Sequence, residues 1–294
     1  MSTSLKILLV DLGTGASGGE SYDTGDILGL GGKALAIGLL EKYLDPQADP
    51  LGPGNILVIA PSPLASYMFP GSNRLGAFSK SPLTGAWLEC YVGGSISRTL
   101  RETGWQALVI MGESSTPCHL HVDATGAALL PADGLWSRDT FETEAAILPS
   151  LDKRSSVLSI GPAGENLVAF ASVMHEQAHA LGRGGMGAVF GSKKLKALSV
   201  TSPGPARLEV SEVFASTRLA VTRLATESPV SNNYRRFGTP MMVAIMNEAG
   251  AFPTGFWESG RAAHRSSLEA EGWQEWAKVD TDTSSPVPCA AARS

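Results

Sequence analysis

The 294-residue chain is 43% hydrophobic and 17% charged, which supplies a substantial core and excludes a disordered polypeptide. Its formal net charge of −5 gives no general electrostatic basis for binding nucleic acid or an anionic membrane. Cys90, Cys118 and Cys289 are too few and too scattered for a disulfide framework, and none stands at metal-ligand spacing from another.

In chain order, the apolar stretch ending at Val10 is too short for a signal peptide's core and has no small-residue cleavage site behind it. No run approaches the roughly 18–20 apolar residues of a membrane span. The expectation is a cytoplasmic protein. Short β-favouring runs bounded by Gly, Pro or Asp predict strands at 6–12, 55–60, 75–79, 107–112, 119–123, 157–160, 170–175 and 197–201. Helical patterns fall at 33–44, 96–103 and 140–149. Strands outnumber helices and do not alternate regularly with them, which predicts an α+β fold. After Ser202-Pro-Gly-Pro205 the pattern turns helical, with Ser211 as an N-cap and a further helix from Thr239-Pro240 to near Gly250. The tail from Asp280 reads as loop. Two domains are therefore expected, 1–203 and 207–294.

Several motifs fail on context. Gly29-Leu-Gly31-Gly32-Lys-Ala34 lacks the preceding strand of a dinucleotide fingerprint. Gly15-Ala-Ser17-Gly-Gly19 matches a nucleophile elbow by letters, yet the Glu20-Ser-Tyr-Asp-Thr-Gly25 run after it reads as turn rather than helix. His175-Glu-Gln-Ala-His179 matches the spacing of a zinc helix, but the glycines after it cut a helix short and no third ligand is evident.

Gly182-Arg183-Gly184-Gly185-Met-Gly187 carries more. Amides freed of side chains form anion-binding nests, and a guanidinium adds charge-assisted hydrogen bonds to phosphate. Arg74 and the Gly93-Gly94 pair are candidates to supply similar groups.

Ser159-Ile-Gly-Pro-Ala-Gly-Glu-Asn-Leu-Val168, followed by Gly-Arg-Gly-Gly-Met-Gly-Ala-Val-Phe-Gly-Ser-Lys193, resembles the signature of the tungsten aldehyde:ferredoxin oxidoreductase family. Lys80-Ser-Pro-Leu-Thr-Gly85, Asp49-Pro-Leu-Gly-Pro53, Gly31-Gly-Lys-Ala-Leu35, the segment from Trp136 to Glu144 and Phe237-Gly-Thr-Pro240 agree in order and spacing. The resemblance implies a two-sheet α+β pterin-cradle domain followed by a partial all-α segment. It implies a tungsten or molybdenum bis-pterin cofactor, a 4Fe-4S cluster, aldehyde oxidation and ferredoxin as electron acceptor. Carried over by position, it puts Arg74, Gly93, Ala180, Gly182 and Arg183 at the pterin and its phosphates.

Two positions depart from the family pattern. Tyr91 stands where asparagine is common, which leaves it a backbone-carbonyl role such as holding a phosphate-bridging magnesium. His179 replaces an arginine and is expected at the pterin edge. Cys289 falls at the first of the cluster cysteines, and Ala292 occupies the second position. The resemblance assigns no catalytic residue within this sequence. The chain reads as a truncated family member, with a non-catalytic cofactor-binding module, or a subunit completed by a separate helical chain, as the alternative. A homodimer is also compatible with the family.

Overall fold

A computed structural model describes residues 4–23, 31–205 and 210–272. Cys289 and the tail from Asp280 lie outside the described residues. The chain divides into two compact units, Met1–Glu209 and Val210–Ser294.

The first strand explains the layering. In β1 (Ser4–Asp11), successive side chains point to opposite faces. Leu8 and Val10 enter one core cluster, and Leu5 and Ile7 enter another. β1 pairs with β2 (Ser17–Asp23) and runs parallel to β6 (Ala107–Met111). β3 (Leu57–Pro61), β4 (Leu75–Lys80) and β5 (Trp87–Val92) complete a six-stranded mixed sheet in the order β2-β1-β6-β3-β4-β5. All five residues of β3 are buried, as expected of a central strand covered on both faces.

Helix α1 (Gly32–Tyr43) covers the outer face of this sheet. It buries Leu35, Ala36, Leu39 and Leu40 on one stripe, against Val58, Phe78 and Val109. Full burial of each such leucine contributes about 1.5–3 kcal/mol.

The second sheet contains β7 (Cys118–Val122), β8 (Ala127–Pro131), β9 (Ser155–Ser159), β10 (Val173–His175), β11 (His179–Leu181) and β12 (Leu195–Thr201). Its order is β11-β10-β9-β12-β7-β8. Leu120, Val122, Leu158, Val173, Leu198 and Val200 join the inner-face residues of the first sheet in one cluster. Helices α2 (Ile96–Glu102) and α5 (Met186–Ser192) contribute Ile96, Leu100, Met186, Val189 and Phe190 to it. Between β8 and β9 lies α3 (Thr140–Ile147), opened by a full capping box of Asp139 and Glu142. The one-turn helix α4 (Pro162–Glu165) follows β9. The fold is α+β with two mixed sheets, as the sequence predicts.

Four local expectations need correction. The segment expected as turn after Gly15 is the edge strand β2, held by a seven-residue register with β1. The run at 170–175 is a strand only from Val173, with Phe170 71% exposed before it. The end of the glycine-rich run opens the buried helix α5. Thr239-Pro240 begins a 3-10 turn, Thr239–Met241, before the true helix α8 (Met242–Glu248).

In the second unit, α6 (Glu212–Glu227) starts as expected, the Ser211 hydroxyl accepting the Phe214 amide at 3.2 Å. An unexpected α7 (Pro229–Phe237) follows, capped by Ser228. Among the described residues no helix is long and apolar enough to cross a membrane.

Candidate functional site

β5 and β11 are each the last strand of their sheet, so the sandwich has an open margin where two edge strands come together. Edge strands present unpaired backbone groups. A cleft of about 460 Å³ opens there, lined by Glu89, Cys90, Tyr91, Ala180, Gly182 and Arg183. A second cleft of about 200 Å³ includes Lys33, Ser62, Arg74, Gly76, Phe78 and Tyr91 among its lining residues. Tyr91 borders both. Arg74 and Arg183 therefore face neighbouring clefts on either side of one tyrosine rather than a single bowl. The Tyr91 ring is set edge-on against Phe78, with centroids 5.9 Å apart.

Three of the expected residues converge at the end of β5. A Cβ added to Gly93 would lie 3.2 Å from His179 Nδ1 and 3.5 Å from Arg74 Nη1. Arg74 is anchored through its backbone: its carbonyl accepts the Ser62 amide at 3.0 Å and the Ser97 hydroxyl at 2.8 Å. Its guanidinium is left for the cleft. Burial pushes the His179 pKa below its ordinary value, and the nearby His175 and Arg74 add to that, while Glu176 opposes it. At neutral pH the imidazole is therefore uncharged, and the positive charge on this wall is that of Arg74.

The zinc-like spacing has a different geometry. His175 and His179 sit on adjacent antiparallel strands, directly paired, with ring centroids 6.2 Å apart. His175 is fully buried. Its Nδ1 lies 2.8 Å from the Val157 carbonyl and its Nε2 accepts the Ile96 amide at 3.3 Å, so both ring nitrogens are engaged. No group of three or more His, Cys, Asp or Glu side chains suited to a metal ion occurs among the described residues. Ser17 is no nucleophile at an elbow either: it begins β2 and donates to the Ala127 carbonyl at 3.2 Å.

The glycine-rich run divides into two roles. Gly185 has φ +88° and marks the start of α5, where a Cβ would strike the Ala169 carbonyl. A Cβ on Gly187 would lie 2.6 Å from the Ser172 carbonyl oxygen, and its amide already donates to Ala171. These glycines allow close packing of backbone on backbone. Gly182 and Arg183, by contrast, are exposed. Among the described residues no backbone acceptor takes the amides of Gly182, Arg183 or Gly184. The stretch with amides free of backbone acceptors is thus shorter than the glycine pattern suggests.

Other cleft residues escape sequence reasoning. Glu89 lines the first cleft but is held by Lys33 at 2.6 Å and by the Trp87 indole at 3.0 Å. The Cys90 thiol meets the Arg183 carbonyl at 2.9 Å, and burial pushes its pKa up. Cys118 is likewise pushed up to about 11 by burial. The alternation in Trp-Leu-Glu-Cys-Tyr-Val, with Leu88, Cys90 and Val92 buried, is the signal that would have found β5.

A family model described as aldehyde ferredoxin oxidoreductase, N-terminal domain, matches residues 7–202. The chain belongs to this family. The tungsten-containing aldehyde ferredoxin oxidoreductase of Thermococcus kodakarensis is 38% identical over 266 residues, covering 88% of this chain and 43% of the relative. The protein of the same description from Pyrococcus furiosus is 35% identical over 260 residues, covering 87% and 43%. The chain spans less than half the length of these curated relatives. Among solved structures, the active site complex BamBC of benzoyl coenzyme A reductase, in complex with 1,5-dienoyl-CoA, superposes with a TM-score of 0.72 at 28% identity. That match covers 76% of this chain and 34% of the other.

Proposed function

We propose that this chain forms one wall of a pterin-cofactor site in an aldehyde-oxidising member of the aldehyde ferredoxin oxidoreductase family. The observation that carries the proposal is the convergence of Arg74 and His179 on Gly93, with Arg183 and the amides from Gly182 exposed on the other side of Tyr91. A flat heterocycle bearing phosphate needs this combination of close backbone approach, exposed amides and guanidinium donors. The larger cleft also lies in the size range of ligand pockets, roughly 300–1,000 Å³.

In this reading Gly93, Ala180 and Gly182 let the ring approach the backbone. Arg74 and Arg183 take the phosphates, and neutral His179 hydrogen-bonds the pterin edge. The Tyr91 carbonyl is the candidate ligand for a magnesium ion bridging phosphates. Residues 1–203 form the cradle, and 207–294 begin the helical part. When bound, the tungsten or molybdenum of such a cofactor exchanges the two electrons released as an aldehyde and water become a carboxylate and three protons. Ferredoxin, taking the electrons singly, is the partner that the family description suggests, and a 4Fe-4S cluster would connect them. Neither described cysteine fits a cluster, because both thiols are buried against backbone carbonyls; Cys289 remains the candidate.

A second reading is a cofactor-holding module or subunit, paired with a second copy or with a separate helical chain. It is favoured by Glu89, the one carboxylate lining the larger cleft among the described residues, being tied up by Lys33.

Anaerobic purification followed by metal and pterin analysis tests both readings. Tungsten or molybdenum with pterin and aldehyde turnover supports the enzyme, and pterin without turnover supports the module. Absence of pterin under conditions that load a full-length relative overturns the cradle. R74A and R183A are each expected to lower pterin occupancy at least tenfold.

A further inference from the structure

The cleft is lined from two different sheets, and one side chain touches both. Glu176 lies in the turn between β10 and β11, at φ +46°, with Gln177 also left-handed at +59°. Left-handed backbone at two consecutive non-glycine residues costs free energy and persists only where surrounding contacts hold it. The carboxylate supplies such contacts. Its Oε1 accepts the Ser95 amide at 3.1 Å and the Ser95 hydroxyl at 2.5 Å. The same hydroxyl reaches Ser156 Oγ at 2.6 Å, and Ser156 reaches Thr99 at 2.8 Å. The other oxygen, Oε2, lies 3.9 Å from His179 Nε2. It also lies 2.6 Å from where a Gly94 Cβ would stand.

We infer that Glu176 is a positioning residue for the cradle: it clamps the Gly93-Gly94 turn of one sheet to the β10–β11 hairpin of the other and orients the His179 ring over Gly93. The inference deepens the cofactor-cradle reading and rests on it for its functional meaning.

Three features separate this role from ordinary helix capping. The imidazole of His175 already takes the Ile96 amide, so α2 keeps one cap without Glu176. Glu176 and His175 together fill the space a Gly94 side chain would need, so the turn packs against both rather than being hydrogen-bonded alone. The second carboxylate oxygen faces His179 across a gap too long for a hydrogen bond, yet close enough for charge to favour the Nε2–H form of the ring. Nδ1 is then left as an acceptor on the side of Gly93. The charged and titratable groups around the ring are Glu176, His175 and Arg74, with Glu144 of α3 influencing the first two.

The test uses the full chain with its five histidines labelled with nitrogen-15, as wild type, E176Q and E176A. In the wild type, the His179 ring-nitrogen shifts should report mainly the Nε2–H form at pH 7.5. In both variants that preference should fall, and the Ser95 amide should exchange at least tenfold faster, while Ile96 keeps its protection. Inorganic pyrophosphate serves as the anion probe, and E176A should bind it about tenfold more weakly with the far-ultraviolet circular dichroism unchanged. Unaltered His179 shifts and Ser95 exchange in both variants would overturn the inference, whatever the pyrophosphate result. Altered shifts and exchange in a protein whose wild type binds no pyrophosphate would leave the clamp standing and count against the cradle reading instead. Global loss of structure in E176A, with E176Q folded and unchanged at His179, would reduce Glu176 to a capping residue and also overturn the inference.

Discussion

The Cys90 thiol lies 2.9 Å from the Arg183 carbonyl oxygen, so a side chain from the edge of one sheet fixes the peptide carrying the exposed arginine beside the other. A thiol is a weak donor, and such a contact contributes about 0.5–1 kcal/mol net. C90A is expected to weaken pyrophosphate binding by roughly two- to fivefold, and C90S to restore most of the loss. Isothermal titration of the three proteins checks this. The thiol itself should react slowly with aromatic disulfides in the native state and rapidly once the chain is unfolded, since burial raises its pKa.

Lys196 and Glu165 form an ion pair at 2.5 Å with side chains 0% and 5% exposed, and Lys196 also donates to the Arg138 carbonyl at 2.7 Å. Removing one member of a buried pair strands the other charge, at a cost of about 3–5 kcal/mol. E165Q and K196M should each lose stability of that order in urea titrations. The double variant should lose less than the sum of the two.

Acid should unfold the domain earlier than its surface suggests. Burial pushes the His119 pKa down to about 4, and neighbouring His121 adds to that. Ser199 Oγ sits 2.7 Å from His119 Nε2 and 2.8 Å from His121 Nδ1, so the hydroxyl can donate to one ring only while accepting from the other. The unfolded chain takes up the His119 proton near the ordinary histidine pKa, and the folded chain resists it. Its contribution is therefore fully present above about pH 6.5 and is lost as pH falls toward 4, by up to roughly 3 kcal/mol. Urea midpoints at pH 7.5, 6 and 5 should fall steadily, and H119Q should flatten that dependence.

Gly94 combines φ +80° with close approach to Glu176 Oε2 and His175 Nε2. The backbone alone makes a side chain there cost about 1–3 kcal/mol. G94A should lower the melting temperature, and E176A should recover only part of it, because the His175 ring and the dihedral angle are unchanged. Thermal denaturation of the single and double variants reads both effects.

The central strands were legible in the sequence because runs such as Leu-Val-Ile-Ala are apolar throughout, which only a strand covered on both faces requires. β5 was not. Glu89 and Tyr91 interrupt its apolar run, and the Gly93-Gly94 pair beyond it reads as loop. The glycines and arginines drew attention to Arg74, Gly93, Gly182 and Arg183, the family resemblance added His179, and Arg74, Gly93 and His179 do meet. Their arrangement was not legible. A four-residue spacing of histidines fits a helix turn as well as two strands joined by a three-residue turn, and only the pairing of β10 with β11 decides between them. In the sequence Glu176 stands out only as the middle of a zinc-like spacing, and its actual partner Ser95 lies 81 residues away.

β1 to β6 fill one sheet before β7 opens the other, and residues 112–117 alone carry the chain across. Lys193 secures that crossing, donating from a buried Nζ to the Gly112 carbonyl at 2.9 Å and to the Asn55 carbonyl. The inner faces of the two sheets share one core, so the seam between β5 and β11 exists only once the sheets have packed on each other. A molecule held in that seam would act as a rivet at the open edge of a joint that the core already holds. Its loss should first show as loosening at β5 and β11, while the shared core keeps the sheets together.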